Sequence, residues 1–260
     1  MKQTGFVVSD ASKIDLYGGK NPREMPLYPV DLAAKMLLLP LSTLKVWVFG
    51  ADWHDRKTGR TRHFEPLIMP PPENDQRMLS FVNLVEAHVL KAIRRKHLVQ
   101  MFRTRFAIEH LKERYETLHP LADVDLYASG SDLFIDDLGQ LINITQGAQV
   151  AMREMLEAHL RRLDRNVQGL TTRLYPFVVP KPVIRVGEVV FQEPPKLIAI
   201  DPLVSFGRPV ITGTGIPTEA IADRFWGGDS IDLLLEDFNR SKTEIEYAIR
   251  YERAQLAQAA

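Results

Sequence analysis

Apolar residues recur at helical spacing through the segment PVDLAAKMLLLPLSTLKVWV, which begins at Pro29. This spacing predicts two short helices. Pro40 lies between them and predicts the break, because a proline inside a helix removes a backbone hydrogen bond. Pro29 suits the first turn of the first helix, and Ser42 caps or opens the second. The apolar face of the second helix is predicted to pack on the first, through Leu44, Trp47 and Val48 against Leu32, Ala33 and Met36.

A polar segment, WHDRKTGRTRHF, follows these helices and has a glycine near its centre. It predicts a β-hairpin with basic arms. Four prolines between positions 66 and 72 then predict a short stiff linker. Two longer amphipathic helices are expected after it. The first covers about residues 79–97, and the second ends at His119, before Pro120.

The middle third of the chain mixes helical and strand patterns. LFIDDLGQLINIT predicts a β-hairpin around Gly139, and residues 149–163 predict an amphipathic helix. Residues 183–186 and 189–192 are rich in β-branched side chains and predict two short strands around Gly187. Five prolines near these strands predict a connector that keeps its neighbours apart.

The last quarter predicts a compact unit. The short strand LIAI precedes DPLVSFGRPVITGTGIPT, and three helices follow at about residues 219–226, 231–238 and 242 to the end. Ser230 is the expected N-cap of the second helix, and Ser241 with Glu244 fits a capping box for the third. The predicted fold is therefore α+β and mainly α. It comprises a winged helix-turn-helix domain (1–120), a small β-containing middle region (121–196) and a C-terminal three-helix domain (197–260).

Composition narrows the possible functions. The 260 residues are 45% hydrophobic and 25% charged, as in ordinary globular proteins, and include no cysteine. Disulfides, zinc–thiolate sites and thiol catalysis are thereby excluded. The chain contains neither a secretory signal pattern nor an apolar run near the roughly 20 residues that cross a bilayer. A cytoplasmic protein without a membrane partner is expected.

The net charge of zero conceals an asymmetry. Residues 1–120 contain 19 Lys and Arg against 13 Asp and Glu, whereas residues 121–260 contain 14 against 20. A basic half joined to an acidic half indicates two partners of different character, although chance variation of surface charge explains the counts equally well.

No motif in the chain predicts catalysis. ITGTGIPT, from Ile211 to Thr218, lacks the lysine of a P-loop and the third glycine of a dinucleotide loop, so we interpret it as a turn. The seven histidines form no metal-binding helix pair, and Asp136 and Asp137 point to opposite faces if they lie on a strand. We therefore expect no catalytic residues, no metal and no cofactor.

The two N-terminal helices fit a helix-turn-helix, in which the second helix enters the major groove of DNA. Its predicted exposed face offers hydroxyl and ammonium donors from Ser42, Thr43 and Lys45. The following hairpin would serve as a wing on the DNA backbone, through Arg56, Lys57, Arg60, Arg62 and His63. The later basic run from Lys91 to Lys96 is interpreted as a solvated helix face, with Arg94 and Arg95 as candidate exceptions.

Residues 27–64 resemble the winged helix-turn-helix of MerR-like regulators. The segment STLKVW matches the S-T-L-[RK]-x-[WY] core of their recognition helix, although the proline linker departs from their compact spacing. This resemblance implies binding to double-stranded operator DNA.

The last quarter resembles the antitoxin-associated domain of unknown function 433, with the pattern D-P … G-x-P-x-I-x-G-T-x-I-P followed by a helix and a G-x-S turn. The matching positions are Asp201, Pro202, Gly207, Pro209, Ile211, Gly213, Thr214, Ile216, Pro217 and Gly228 to Ser230. Together with a winged N-terminus, the chain resembles VapB-type antitoxins. This resemblance implies that the chain neutralises a PIN-fold ribonuclease toxin and represses its own operon.

Operator repression normally requires a symmetric dimer. We expect the homodimer contact in the β-containing middle region and in the strand before Asp201, because exposed strand edges pair readily. Toxin contacts are expected at the aromatic and arginine residues of the last domain, Phe225, Trp226, Arg250 and Arg253. The main alternative is a stand-alone MerR-like regulator whose C-terminal domain binds another protein or a small ligand. A nucleotide-dependent enzyme is the remaining, weaker one.

Overall fold

The computed structural model describes residues 18–54, 59, 61–72, 78–94, 101–122, 156–167, 169–177, 183–185, 188–190 and 194–259. The chain is mainly helical with short strands, which confirms the predicted fold class. The helices whose bounds the structure describes in full are α1 (Val30–Met36), α2 (Leu41–Phe49), α3 (Phe81–Arg94), α4 (Met101–Tyr115), α5 (Thr218–Trp226), α6 (Ile231–Phe238) and α7 (Lys242–Ala259).

The described strands form antiparallel pairs. These are β1 (Tyr28–Pro29) with β4 (Met78–Leu79), β2 (Ala51–His54) with β3 (Thr61–Phe64), β5 (Leu163–Arg165) with β6 (Thr171–Leu174), β7 (Val183–Arg185) with β8 (Glu188–Val190), and β9 (Ile198–Ala199) with β10 (Val210–Ile211). The predicted hairpin after α2 and the predicted strands around Gly187 are thus confirmed.

Prolines set the starts of the first two helices. Pro29 and Pro40 are their N-cap residues, and neither cap is made by a side chain. Ser42 lies in the first turn of α2 and does not cap it, because the helix already begins at Leu41. The predicted break at Pro40 is confirmed.

Helix α3 is the centre of the larger core. It was predicted as an amphipathic helix, yet every residue from Phe81 to Leu90 is buried. Its polar side chains are satisfied inside the protein: Asn83 Nδ2 donates to Met69 O at 3.0 Å and to Glu86 Oε2 at 3.1 Å. Lys91 is not on a solvated face either, since its Nζ donates to Leu37 O at 2.6 Å. Internal hydrogen bonding therefore lets a helix with polar residues occupy the core.

Two predicted helices differ in extent from the observed ones. Helix α4 ends at Tyr115 rather than His119, and the next residue, Glu116, has a left-handed φ of 49°. In the predicted helix 149–163, residues 156–160 are helical, but Leu163 begins β5. Residues 149–155 and the predicted hairpin around Gly139 lie outside the described residues.

Arg162 ties the proline-rich connector to the core. Its buried guanidinium donates to Tyr175 O at 3.0 Å and Pro194 O at 2.5 Å, with longer bonds to Pro176 O and Pro195 O. Both ends of the connector are therefore held at one side chain. The prediction that this stretch keeps its neighbours apart is wrong, because Arg162 brings its ends together.

The C-terminal helices begin and end as the sequence predicts. Ser230 Oγ accepts a hydrogen bond from Leu233 N at 3.2 Å, and the capping box of Ser241 and Glu244 is formed. Arg224 links α5 to α6 by ion pairs of 2.6 Å with Asp229 and Asp237. These contacts build a three-helix unit around its own small core, made of Ile211, Ile221, Leu234, Ile245 and Ala248.

The glycine-rich stretch after β10 is a tight turn, as predicted. Thr214 N donates to Ile211 O and Ile211 N donates to Ile216 O, each at 3.0 Å. Gly213 has a φ of +78°, a conformation that favours glycine. The chain then enters α5 through Pro217, its N-cap residue.

The C-terminal unit packs directly on α1. Tyr251, fully buried on α7, donates its hydroxyl to Met36 O at 2.8 Å. On the other side of this contact, Gly207 faces Tyr28, and a Cβ added to Gly207 would lie 2.1 Å from the Tyr28 hydroxyl. The larger core around α3 includes side chains from Tyr28 to Ile200, and so from both sides of residue 120. The two predicted end domains are therefore in contact.

Candidate nucleic-acid interface

The turn between α1 and α2 is buried and fixed. Leu37, Leu38 and Leu39 are all buried, and Leu38 takes a left-handed φ of 50°. The carbonyl of Leu37, at the end of α1, accepts the bond from Lys91, which satisfies a group that a helix end otherwise leaves unpaired. The angle between α1 and α2 is thus set by the core beneath them.

Helix α2 presents a mixed polar and apolar face to solvent. Its exposed residues are Ser42, Lys45, Val46 and Phe49. The predicted DNA contacts Ser42 and Lys45 lie on this face. Val46 and Phe49 were not predicted there, and apolar side chains at such positions can contact thymine methyl groups in the major groove.

The structure corrects the predicted position of Thr43. It was predicted to be exposed but is only 5% exposed, within the same core as Trp47. At about 100° per residue, Thr43 lies about 40° from Trp47 around the helix and opposite Lys45. The helical angle therefore placed it on the buried side. Leu32 is the reverse case: it was predicted to pack against α2 but is exposed, whereas Ala33 and Met36 are buried as expected.

The hairpin β2–β3 is anchored at its base. Gly50 opens it with a φ of +73°, and a Cβ there would lie 2.3 Å from Phe64 O. After the hairpin, Leu67 N and Ile68 N donate to Trp47 O at 2.7 and 3.0 Å. The guanidinium of Arg105 lies 5.4 Å from the ring centre of Phe64. The wing therefore has a fixed position relative to α2.

The basic residues of the wing are described only in part. Arg56, Lys57 and Arg60 lie outside the described residues, and Arg62 is a β3 residue whose backbone pairs with Trp53. Arg94 ends α3, and Arg95 lies outside the described residues. The DNA contacts predicted for all these residues stay predictions.

His63, on β3 of the wing, is held between two carboxylates. Its Nδ1 lies 2.6 Å from Asp52 Oδ1 and its Nε2 lies 3.8 Å from Glu65 Oε1. The hydrogen bond to Asp52 raises the pKa of the His63 imidazole, and the charges of Asp52 and Glu65 raise it further, whereas partial desolvation and the charge of Arg105 oppose the rise. Protonation of His63 removes one unit of net negative charge from the base of the wing.

DNA binding by this face is expected to strengthen as the pH falls. Because the pKa of His63 is raised, its positive charge is present below that pKa and lost as the pH rises through it. Affinity for duplex DNA should rise roughly threefold from pH 8 to pH 6. His63→Gln should remove this increase, and His54→Gln, in the same hairpin, should keep it. Equal pH profiles in all three proteins would contradict the expectation; fluorescence anisotropy measures them.

The predicted partner contacts of the last domain are all exposed. Phe225 and Trp226 end α5, and Trp226 is 46% exposed, while Arg250 and Arg253 lie on the exposed side of α7. Trp226 also lines a cleft between the two end domains, and the other three are not among its lining residues. Their contact with a partner stays a prediction.

The strand before Asp201 offers no open edge. Ile198 and Ala199 pair with β10, and Ile200 exchanges backbone hydrogen bonds of 3.0 and 2.8 Å with Leu174 on its other side. The expectation that this strand presents an exposed edge for dimerisation is therefore wrong. Two neighbours already occupy its hydrogen-bonding groups.

Within the described ranges, no three histidine or acidic side chains come together as a metal site requires. None of the helices described here combines the length and apolar character that crossing a bilayer needs.

Comparisons with known families agree with this architecture. Residues 26–108 match the family model described as "Putative DNA-binding HTH domain", which covers α1, α2, the wing and α3. Residues 198–251 match the model described as "Protein of unknown function (DUF433)". The two matched segments are the two end units that meet at α1 and α7.

Three proteins of Mycobacterium tuberculosis are similar over most of the chain. The protein named "Putative antitoxin VapB45" is 24% identical over 243 residues, which are 87% of this chain and 93% of that protein. "Uncharacterized protein Rv2308" is 26% identical over 222 residues, or 84% and 86% of the two chains. The crystal structure of Rv2018 superposes with a TM-score of 0.59 at 20% identity, covering 86% of this chain and 97% of that one. The last likeness shows a shared fold.

Proposed function

We propose that this chain is an antitoxin that binds operator DNA through α2 and its wing. The proposal starts from the combination of a segment that matches a helix-turn-helix family with one that matches DUF433. In this proposal it neutralises a PIN-fold ribonuclease toxin by direct contact. It represses its own operon as a homodimer, acts in the cytoplasm and is not an enzyme. The similarity to a protein named as an antitoxin over 87% of the chain supports the first part.

The exposed face of α2 carries the DNA-binding part of the proposal. Ser42 and Lys45 offer a hydroxyl and an ammonium group, and Val46 and Phe49 offer apolar surface beside them. A recognition helix needs this combination, because phosphate contacts position the protein while base-edge contacts give specificity. Its opposite face is held by Leu44, Trp47 and Val48 in the core, so the donors are presented on a rigid helix.

The three-helix unit carries the partner-binding part. It has its own core, and it leaves Phe225, Trp226, Arg250 and Arg253 exposed. Aromatic and arginine side chains contribute most of the energy of many protein interfaces.

A stand-alone transcription regulator is the second candidate. The observation that favours it is the cleft of about 600 Å³ between α1 and the C-terminal unit. A small ligand in this cleft would touch α1 and so could alter the DNA-binding helix pair. In that case the protein would need no nuclease partner.

Co-expression with the product of the adjacent gene, assayed as an RNA-cleaving nuclease, tests the proposal. We expect a stable complex on gel filtration, and RNA cleavage by the purified nuclease should stop when this chain is added in equal amount. Phe225→Ala with Arg253→Ala should weaken the inhibition, whereas Leu233→Ala on α6 is the control. A nuclease that cleaves RNA equally with and without this chain would refute the antitoxin role.

A further inference from the structure

The cleft between α1 and the C-terminal unit has an apolar rim. Large apolar side chains stand exposed around it: Phe206 is 68% exposed, Leu256 57% and Trp226 46%, and Leu32 of α1 completes the rim. Isolated exposed apolar residues are common, but several around one cleft indicate an interaction site. Contributions come from both end units, so the site exists only when they are docked.

The backbone that presents Phe206 is strained. Ser205, Phe206 and Gly207 have successive left-handed φ angles of 47°, 55° and 74°. For a phenylalanine this conformation costs about 1 kcal/mol or more. Ser205 Oγ donates to Gly215 O at 2.8 Å and holds the turn against the glycine-rich stretch. The fold thus maintains an unfavourable turn that keeps an aromatic ring in solvent, as is common at functional sites.

One wall of the cleft is acidic. Glu219 and Asp223 on α5 and Glu252 on α7 all line it. Among the described residues, none of these three carboxylates forms an ion pair with a cation. Lys35 and Arg208 line the cleft as well, and no ion pair joins them to the acidic wall within the same set of residues. The acidic wall therefore has room for a positive charge from outside the chain.

Glu252 is the central carboxylate of this wall. Its pKa is raised, first by burial and then by the negative charges of Glu219 and Asp223, although hydrogen bonds from Thr218 and Gln255 lower it. A raised pKa means that the folded protein binds the proton more tightly than the unfolded chain. Ionised Glu252 therefore weakens folding as the pH rises above its unfolded value. A cation from a partner would relieve this repulsion.

We propose that this cleft binds a protein segment that carries an arginine or lysine beside apolar side chains. The basic group lies against Glu219, Asp223 and Glu252, and the apolar side chains lie on Phe206, Trp226 and Leu256. DNA does not fit, because the acidic wall repels phosphate. A small cation would leave most of the rim uncovered, so a protein segment is the occupant that the surface favours. The identification of that partner as the nuclease rests on the function proposed above.

Binding of short labelled peptides tests the proposal directly. One fluorescein-labelled peptide alternates leucine and phenylalanine with arginine, and two matched peptides carry glutamine or glutamate in place of arginine. By fluorescence anisotropy with the full chain, the arginine peptide should bind about tenfold more tightly than the glutamine peptide. The glutamate peptide should bind most weakly. Equal binding of the three, or no binding of the arginine peptide, would overturn the proposal.

Matched variants locate the binding. Glu252→Gln and Trp226→Ala should each lower the affinity for the arginine peptide about tenfold. Glu236→Gln removes a carboxylate and Leu233→Ala an apolar side chain on the exposed side of α6, and both should leave the affinity for this peptide unchanged. If the cleft variants and the α6 variants bind alike, the peptide binds elsewhere and the proposal fails. If Glu252→Gln and Trp226→Ala instead dissociate a dimer of this chain on gel filtration, the occupant is a second copy and the proposal fails.

Thermal unfolding shows whether the variants fold and supplies an independent result. Because Glu252 has a raised pKa, Glu252→Gln should raise the Tm by about 2 °C at pH 8 and leave it unchanged at pH 4. If the Tm of Glu252→Gln falls at pH 8, the repulsion between Glu252 and the neighbouring carboxylates of the acidic wall is contradicted.

The outcomes separate this proposal from the antitoxin function. A nuclease bound equally by the wild type and by Glu252→Gln with Trp226→Ala would show that the nuclease does not occupy the cleft, while the antitoxin function would stand. Selective peptide binding by a chain that binds no nuclease would keep the cleft and refute the antitoxin.

Discussion

Gly207→Ala is expected to destabilise the protein by about 3–4 kcal/mol. The added Cβ would lie 2.1 Å from the Tyr28 hydroxyl and 2.9 Å from the ring carbon that bears it, and Gly207 already has a φ of +74°. Tyr28, in β1, is buried in the larger core, so its ring has little room to move. The substitution should therefore separate the C-terminal unit from α1. Urea denaturation of the full chain measures the loss.

Gly213→Ala is the matched control for this prediction. Gly213 has nearly the same φ, +78°, but its added Cβ would meet nothing within 4 Å. Only the backbone cost of about 1 kcal/mol should remain. Tyr28→Phe should partly rescue Gly207→Ala, because it removes the nearest clashing atom, and should not rescue Gly213→Ala. Equal losses at the two glycines would mean that the contact with Tyr28 does not hold the domains together.

Lys45→Glu is expected to reduce the affinity for duplex DNA about 100-fold at moderate salt. Lys45 lies exposed on α2. In the proposed complex its replacement would place a negative charge against the phosphates of each half-site that the proposed dimer binds. The stability of the protein should hardly change, because the side chain is outside the core. Fluorescence anisotropy with DNA from the chain's own promoter region measures the change.

Lys242→Glu controls for the overall charge. Lys242 is exposed at the start of α7 and contacts Glu246 at 3.8 Å, far in the sequence from the helix-turn-helix. Lys242→Glu changes the net charge by the same amount as Lys45→Glu, and we expect it to change the affinity for DNA less than about twofold. If both variants weaken binding to the same extent, the effect is one of net charge and α2 is not the recognition helix.

The local elements could be predicted because their signals are local. Pro40 separates the first two helices, Gly59 lies between the two strands of the hairpin, and Ser230 caps α6. Each depends on backbone geometry that a few neighbouring residues determine. The exposed face of α2 was predictable for the same reason. A helical angle computed for Thr43 would have placed it in the core from the start.

The packing between distant segments could not be predicted in this way. The sequence of α3 reads as amphipathic, and its burial depends on partners such as Met69 O and His119, far along the chain. The connector was interpreted as a spacer because prolines stiffen a chain, yet Arg162 gathers their carbonyl groups into the core. The exposure of Phe206 follows from a strained turn for which the sequence gives no signal. The cleft is made by such contacts and was therefore missed.

The salt dependence of binding to the promoter DNA tests the central claim most directly. If α2 and the wing bind a double helix, the full chain should prefer its own promoter to unrelated DNA of equal length. The logarithm of its affinity should fall with the logarithm of salt concentration at a slope steeper than about −3. Lys45→Ala should make that slope shallower by about one for each copy of α2 that contacts the DNA. A chain that binds both DNAs equally, or whose slope is the same with and without Lys45, would contradict the account.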